Sequence, residues 1–326
     1  MHRYFVIPMV VFFSIISGFE IYMQFINEDW KYLAPKPVLP ESCNDNSNVK
    51  LILHDKDKIE NRSFDDKPDI IKGNQFHAIF LLPCEREDRQ YDVNLNIEQS
   101  LFAINKWFLE KSNKQEIKFD RNHENKIDVT FLRVNKTMLW FDDNVNEDNK
   151  QRIDISSKIK EIIFANKNIF NNFDDKKFII FFEGWERKKH LNFNICGKAT
   201  FNGNIAIYYT FSRFKKYIGN DLILKNNKKI FSCNNEDHLN NFDDEIFGDA
   251  EATILHEILH TLGAPAKCAN NFNSYTNHVL DNENDILHNQ SGNNFLDYNN
   301  DDYYDHKIKN CPDLKDSNYL IKVKKL

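Results

Sequence analysis

A chain of 326 residues that is 41% hydrophobic and 13% aromatic can bury a sizeable core, in one large domain or two small ones. Its net charge of −6, with lysines scattered among acids, excludes a general electrostatic attraction to nucleic acid, and no nucleic-acid partner is expected. Six cysteines, with no CxxC pair among them, suit the disulfides of an exported protein better than thiolate metal sites.

His2 and Arg3 precede an apolar run from Tyr4 to Ile16, and Ser17-Gly18 follow. Charge, apolar stretch and small residues in that order predict an export signal over 1–24. An isoleucine three places before the cut leaves an uncleaved membrane anchor as the alternative, and the membrane would be a partner only through that segment. The close prolines of Leu33 to Pro40 suit an extended tether, and the Asp- and Asn-rich stretch after them is weakly patterned. Residues 25–75 are therefore read as linker or extension, with a compact domain over 76–326.

Within that domain Ala78–Leu82 is a short apolar run stopped by Pro83, which predicts a buried strand. Over Leu95–Lys111, Ile97, Leu101, Ile104, Trp107 and Phe108 share one helical face. Ile117–Phe119 and Ile127–Val134 alternate as neighbouring strands would. A second helix is expected over Asp154–Phe164, with Ile155, Ile159, Ile162 and Ile163 towards the core. Phe178–Phe182 reads as a central strand, and Ile205–Tyr209 as a strand that is either sheet core or an edge that pairs with an extended peptide. The order predicts the α+β class: a twisted mixed sheet with two backing helices, then a further helix, then an irregular tail from Pro265.

That further helix, Ala250–Leu262, holds His256-Glu257-Ile258-Leu259-His260, with Gly263 as a left-handed stop. Residues four apart share a helix face, so His256 and His260 can aim both imidazoles at one point, which is zinc-ligand spacing. Glu257, one step round, is placed to act as a general base on a metal-bound water. A catalytic zinc ordinarily has three protein ligands and an open position. The third is sought in the tail, where His278 ranks first, Asp281 and Asp285 next, and Glu283, in a stretch too rich in Asn and Asp for a helix, after them.

HExxHxxG resembles the metzincin clan of zinc metallopeptidases, in which a His or Asp three residues beyond the glycine completes the site. Here Ala266 stands at that position and cannot bind metal. The blocks HEILHTLGAPAKCA, NHVLDNENDIL, LDYNNDDYYDH and CPDLKDSNYL are similar to those of exported bacterial zincin-like proteins with an HExxHxxGA helix, a likeness spanning most of residues 77–320. The resemblance implies a metzincin-like zincin fold, one catalytic Zn2+ and a peptide or protein substrate. It also implies that Asp285-Ile286-Leu287 forms the turn beneath the metal, with Leu287 in place of a methionine. The expectation is an exported peptidase; the alternative is a non-catalytic exported binding protein on a degenerate zincin fold, which Ala266 keeps open.

Cys268 and Cys311 bracket the ligand-bearing tail, and a disulfide between them would pin it; Cys196 with Cys233 and Cys43 with Cys84 would complete the set. Asp297, Asn299, Asp301, Asp302 and Asp305 could gather oxygens for Ca2+. Their spacing starts like an EF-hand loop without its central glycine and final glutamate, which favours a solvated acidic turn. Tyr303, Tyr304 and His306 are candidate oxyanion donors, with core or rim packing the other reading for the tyrosines.

Overall fold

The computed structural model describes residues 40–142, 154–184, 186–188, 193–210, 246–289 and 292–323. The chain divides into two units, Met1–Glu41 and the compact Ser42–Leu326, and every described strand and helix belongs to the second. The expected export segment, over 1–24, lies outside the described residues, and among those described no helix is long and apolar enough to cross a membrane.

In chain order the strands are β1 (Leu51–Ile52), β2 (Gln75–Leu82), β3 (Gln115–Ile117), β4 (Val129–Val134), β5 (Lys176–Phe182), β6 (Glu186–Lys188), β7 (Phe193–Ile195), β8 (Gly197–Ala199), β9 (Ile205–Tyr209), β10 (Phe272–Asn273), β11 (His278–Val279) and β12 (Leu320–Lys322). The α-helices among the described residues are α1 (Asn96–Lys111), α2 (Met138–Asp142), α3 (Ile155–Ala165) and α4 (Asp249–Thr261). Six strands form one mixed sheet in the order β1-β4-β2-β5-β9-β8. Its four inner strands are parallel, and β1 and β8 are antiparallel at the two edges.

Helices cover both faces, which is why β2 and β5 are apolar at nearly every position instead of alternating. One face of the sheet, with Phe76, Ala78, Phe80, Ile179 and Phe181, packs on α1 and α4. The other, with Ile79, Leu81, Phe178, Ile180 and Phe182, packs on α2 and α3. The helices at 96–111 and 155–165 bury the residues their periodicity selects, and Asp154 caps α3 by accepting from the Ser157 N–H at 2.8 Å.

Two expectations are corrected and one open choice is resolved. Residues 42–75 are not a linker: Cys43 is bonded to Cys84, Leu51 pairs with Val134, and the Asp57 carboxylate grips the buried Arg133 guanidinium at 2.7 and 2.8 Å. These are single, specific contacts that a polar composition does not advertise. Ile117–Phe119 is not a sheet neighbour of β4, since β3 pairs with β12 in a separate ribbon. Of the two readings of Ile205–Tyr209 the structure supports sheet core: β9 lies inside, and among the described strands the three-residue β8 ends the sheet.

Candidate metal centre

Helix α4 starts where the Gly248 N–H donates to Glu251 Oε2 at 3.0 Å, while Glu251 Oε1 accepts from Ser100 Oγ of α1 at 2.6 Å. Ala250, Ile254, Leu255, Ile258 and Leu259 are buried on its sheet side, which fixes its rotation about its axis. The helix ends at Gly263 with φ +86°, the left-handed stop that the sequence calls for. With its rotation set by the apolar face, His256 and His260 are delivered to one spot.

His278, on the two-stranded ribbon β10–β11, meets them there. The three Nε2 atoms stand 2.9 Å apart for His256 and His260, 3.0 Å for His256 and His278, and 3.4 Å for His260 and His278. Two nitrogens bound tetrahedrally to one zinc at 2.0–2.1 Å would lie about 3.4 Å apart. Nδ1 of His256 donates to the Ile286 carbonyl at 2.6 Å, and Nδ1 of His260 to the Ala264 carbonyl at 2.9 Å. A carbonyl can only accept, so both protons sit on Nδ1 and the Nε2 lone pairs of His256 and His260 face each other. Burial, aided by His260 and His278, pushes His256 well below the usual imidazole range, and burial lowers His260 as well. Neutral nitrogens with opposed lone pairs, held in place through their other ring nitrogens, are a donor set that fits a zinc ion.

Glu257 packs against strand β8. A Cβ added to Gly197 of β8 would come within 2.6 Å of Glu257 Cγ and 2.8 Å of Oε1, so the absence of a side chain there makes room for the carboxyl group. Burial raises Glu257 to about 8, opposed by the nearby Lys198 charge. Sequence reasoning passes over Gly197 and Lys198, since three residues of Gly-Lys-Ala carry no strand pattern; only the pairing with β9 reveals them.

Asp285 is placed beneath the imidazoles and not among them. Its carboxylate accepts from the Leu287 N–H at 2.7 Å, the Tyr298 N–H at 2.8 Å and the Tyr303 hydroxyl at 2.7 Å, while burial raises it to about 7. The turn it holds offers the Ile286 carbonyl to His256 and the Leu287 carbonyl to the Val279 N–H, next to His278. One carboxylate thus organises the supports of two imidazoles. Ile286 and Leu287 of this turn are fully buried. Ala266 is buried and contributes no donor, and Asp281 and Glu283 are exposed, away from the imidazoles.

The other tail candidates have structural partners. Tyr303 is committed to Asp285, the Tyr304 hydroxyl donates to the Ser112 carbonyl and Gln115, and His306 is held between the Pro312 carbonyl and the Ile308 N–H. None is available as an oxyanion donor. The acidic stretch is not a solvated turn either: Asp297 Oδ2 accepts from the N–H groups of Tyr303 and Tyr304, each at 2.6 Å, and Asp302 accepts from Asn271. Asp297 is thereby committed to the turn, whereas one ligand oxygen each of Asp281, Asp301 and Asp302 lies within 4.8 Å of the others, a grouping able to hold a cation. Cys268 is bonded to Cys311, as expected. Cys196 is disulfide-bonded too, and its expected partner Cys233 lies outside the described residues. These bridges fit an oxidising, exported environment.

No family model, curated protein or solved structure matches this chain.

Proposed function

We propose that this chain is an exported zinc-dependent peptidase of metzincin-like type, with His256, His260 and His278 as ligands and Glu257 as general base. The observation that carries the reading is the meeting of three imidazole Nε2 atoms, 2.9–3.4 Å apart, with a carboxyl group on the residue that follows the first of them. The mixed sheet, its covering helices and the disulfide-pinned tail are in keeping with the resemblance of the HExxHxxGA segment.

When bound, zinc supplies Lewis acidity, lowering the pKa of a water at its open position towards neutrality and polarising an adjoining carbonyl. The chain's own groups do the rest. The Ile286 and Ala264 carbonyls keep two imidazoles in the tautomer that presents Nε2. Glu257, raised by burial, is drawn towards ionisation by positive charge nearby, Lys198 included, and as the carboxylate takes a proton from the attacking water and returns it to the leaving amine. Strand β8, at the end of the sheet among the described strands, has backbone groups to pair with an extended peptide, and Gly197 in it leaves the Glu257 carboxyl group room against that strand.

The test is a chelator-sensitive peptide-library assay on the purified chain. Glu257→Gln is expected to keep one zinc while turnover falls by about 10²–10⁴-fold, the range general acid–base catalysis supplies. Unchanged turnover would refute the mechanism, and zinc retention without hydrolysis in the wild type would favour the non-catalytic binding protein.

A further inference from the structure

A second cluster of ionisable groups lies on the opposite face of the sheet from α4. His77 of β2 and Lys176 of β5 stand at the start of their strands, surrounded by Asp66, Asp69, Asp120 and Asp128. The side chains of Asp66, His77, Asp120 and Lys176 have no solvent exposure at all. Lys176 Nζ contacts Asp66 Oδ2 and lies 2.7 Å from both Asp69 Oδ1 and Asp120 Oδ2. His77 donates from Nδ1 to Asp120 Oδ2 at 2.8 Å, and its Nε2 meets Thr130 Oγ1 at 2.9 Å. Three carboxylates therefore contact one ammonium and a fourth, Asp128, lies beside His77, so even a protonated His77 leaves negative charge in excess away from bulk solvent.

Lysine and histidine use one oxygen of each inner carboxylate and leave the other. Asp66 Oδ1 and Asp120 Oδ1 are buried with no hydrogen-bond partner, and Asp66 Oδ1 is turned inwards, 3.6 Å from His77 Nδ1. An independent feature adjoins them. Gln75, fully buried, has neither Oε1 nor Nε2 partnered, and it is in register with Lys176. Partners in register on parallel strands project to the same face, so this amide is on the face of His77 and Lys176. Native proteins rarely leave several such atoms together without something to bind them.

We infer that this cluster is a second cation site, taking a small hard divalent ion of the Mn2+ or Mg2+ class through carboxylate oxygens. One ligand atom each from Asp66, His77, Asp120 and Asp128 lies within 4.8 Å of all the others, and oxygens on opposite sides of an ion of the Mg2+ class stand about 4.0–4.2 Å apart, a contraction small shifts of these side chains supply. Both His77 nitrogens are engaged, so the free donors are oxygens, which select hard cations. Ca2+ asks for six to eight oxygens, more than the few that converge here. Burial raises Asp66 to about 7 against the pull of His77 and Lys176.

Mn2+ distinguishes this site from the imidazole cluster, because it is the weakest of the first-row divalent ions at nitrogen sites. The full chain, freed of metal by chelation, would be titrated with Mn2+ and followed by electron paramagnetic resonance. One bound Mn2+ is expected in the wild type and equally in His256→Ala, with affinity at least tenfold weaker in Asp66→Asn and in Asp120→Asn. Should those variants fail to fold, selective broadening of the His77 ring resonances by Mn2+ in the wild type locates the ion without them. The inference is overturned if the wild type retains no Mn2+ at millimolar concentration, which leaves a water or a proton at the cluster. It is also overturned if binding disappears in His256→Ala or if the His77 signals stay sharp.

Discussion

Helix α4 and the tail between Cys268 and Cys311 contribute to the same point by different physics. The helix delivers two imidazoles because a 3.6-residue period and a buried apolar face leave them one direction to point. The tail has no such period. It brings His278 to within 3.0 Å of His256 through a short ribbon, a disulfide and the hydrogen bonds gathered by Asp285 and Asp297. Regular structure secures half of a site by repetition; irregular structure secures the other half by a few contacts, each of which matters separately.

The two described disulfides offer the widest test of that difference. Cys43–Cys84 and Cys268–Cys311 close loops of nearly equal length, with sequence separations of 41 and 43. In the chain-entropy model each contributes about 4 kcal/mol, so paired Cys→Ser variants should lose similar stability in denaturant melts. Only Cys268→Ser/Cys311→Ser should also weaken zinc binding, since only that loop carries one of the three clustered imidazoles, His278. Equal zinc affinities in the two variants would show that the ribbon holds His278 without the bridge.

A smaller effect is expected at Asp285. Asp285→Asn replaces one acceptor oxygen with a donor facing N–H and O–H groups, and it should lower zinc affinity about 10–100-fold, the usual loss when a support of a metal ligand is removed. Chelator competition measures it. Affinity within twofold of wild type would show that the turn holds itself.

The mildest test is pH. Glu257 sits at about 8 when metal-free, above the 4.5 of an unfolded chain, so between those values the folded protein keeps a proton that the unfolded chain has lost. Stability from this group is therefore lost as pH rises, by up to about 1.4 kcal/mol per unit, and levels off above 8. Metal-free Glu257→Gln should accordingly gain on the wild type between pH 5 and 8 in urea melts. A gap that does not change with pH would mean that Glu257 is not buried as the structure has it.

Legibility in the sequence follows the same divide. The core faces of α1 and α3, the strands at 78–82 and 178–182, and the HExxH helix all follow from periodicity and apolar runs. His278 ranks first on ligand chemistry alone, because nothing in the spacing of a Gly- and Asn-marked loop says where it returns. Residues 42–75 read as a linker because a disulfide and buried ion pairs, Asp57–Arg133 and Asp66–Lys176 among them, hold them to the sheet in place of an apolar face. The roles of Tyr303 and Asp297 are hidden for a related reason: a side chain whose hydroxyl donates to a buried carboxylate, or whose carboxylate accepts from backbone amides, looks in sequence like one that faces water.

Whether helix and tail share one ion is decided most directly by X-ray absorption spectroscopy of the zinc-loaded chain beside His278→Ala. One zinc per chain with three imidazole nitrogens and a further light atom is the predicted result, falling to two imidazoles in the variant. A chain that takes up no stoichiometric zinc, or a coordination shell that His278→Ala leaves unchanged, would contradict it.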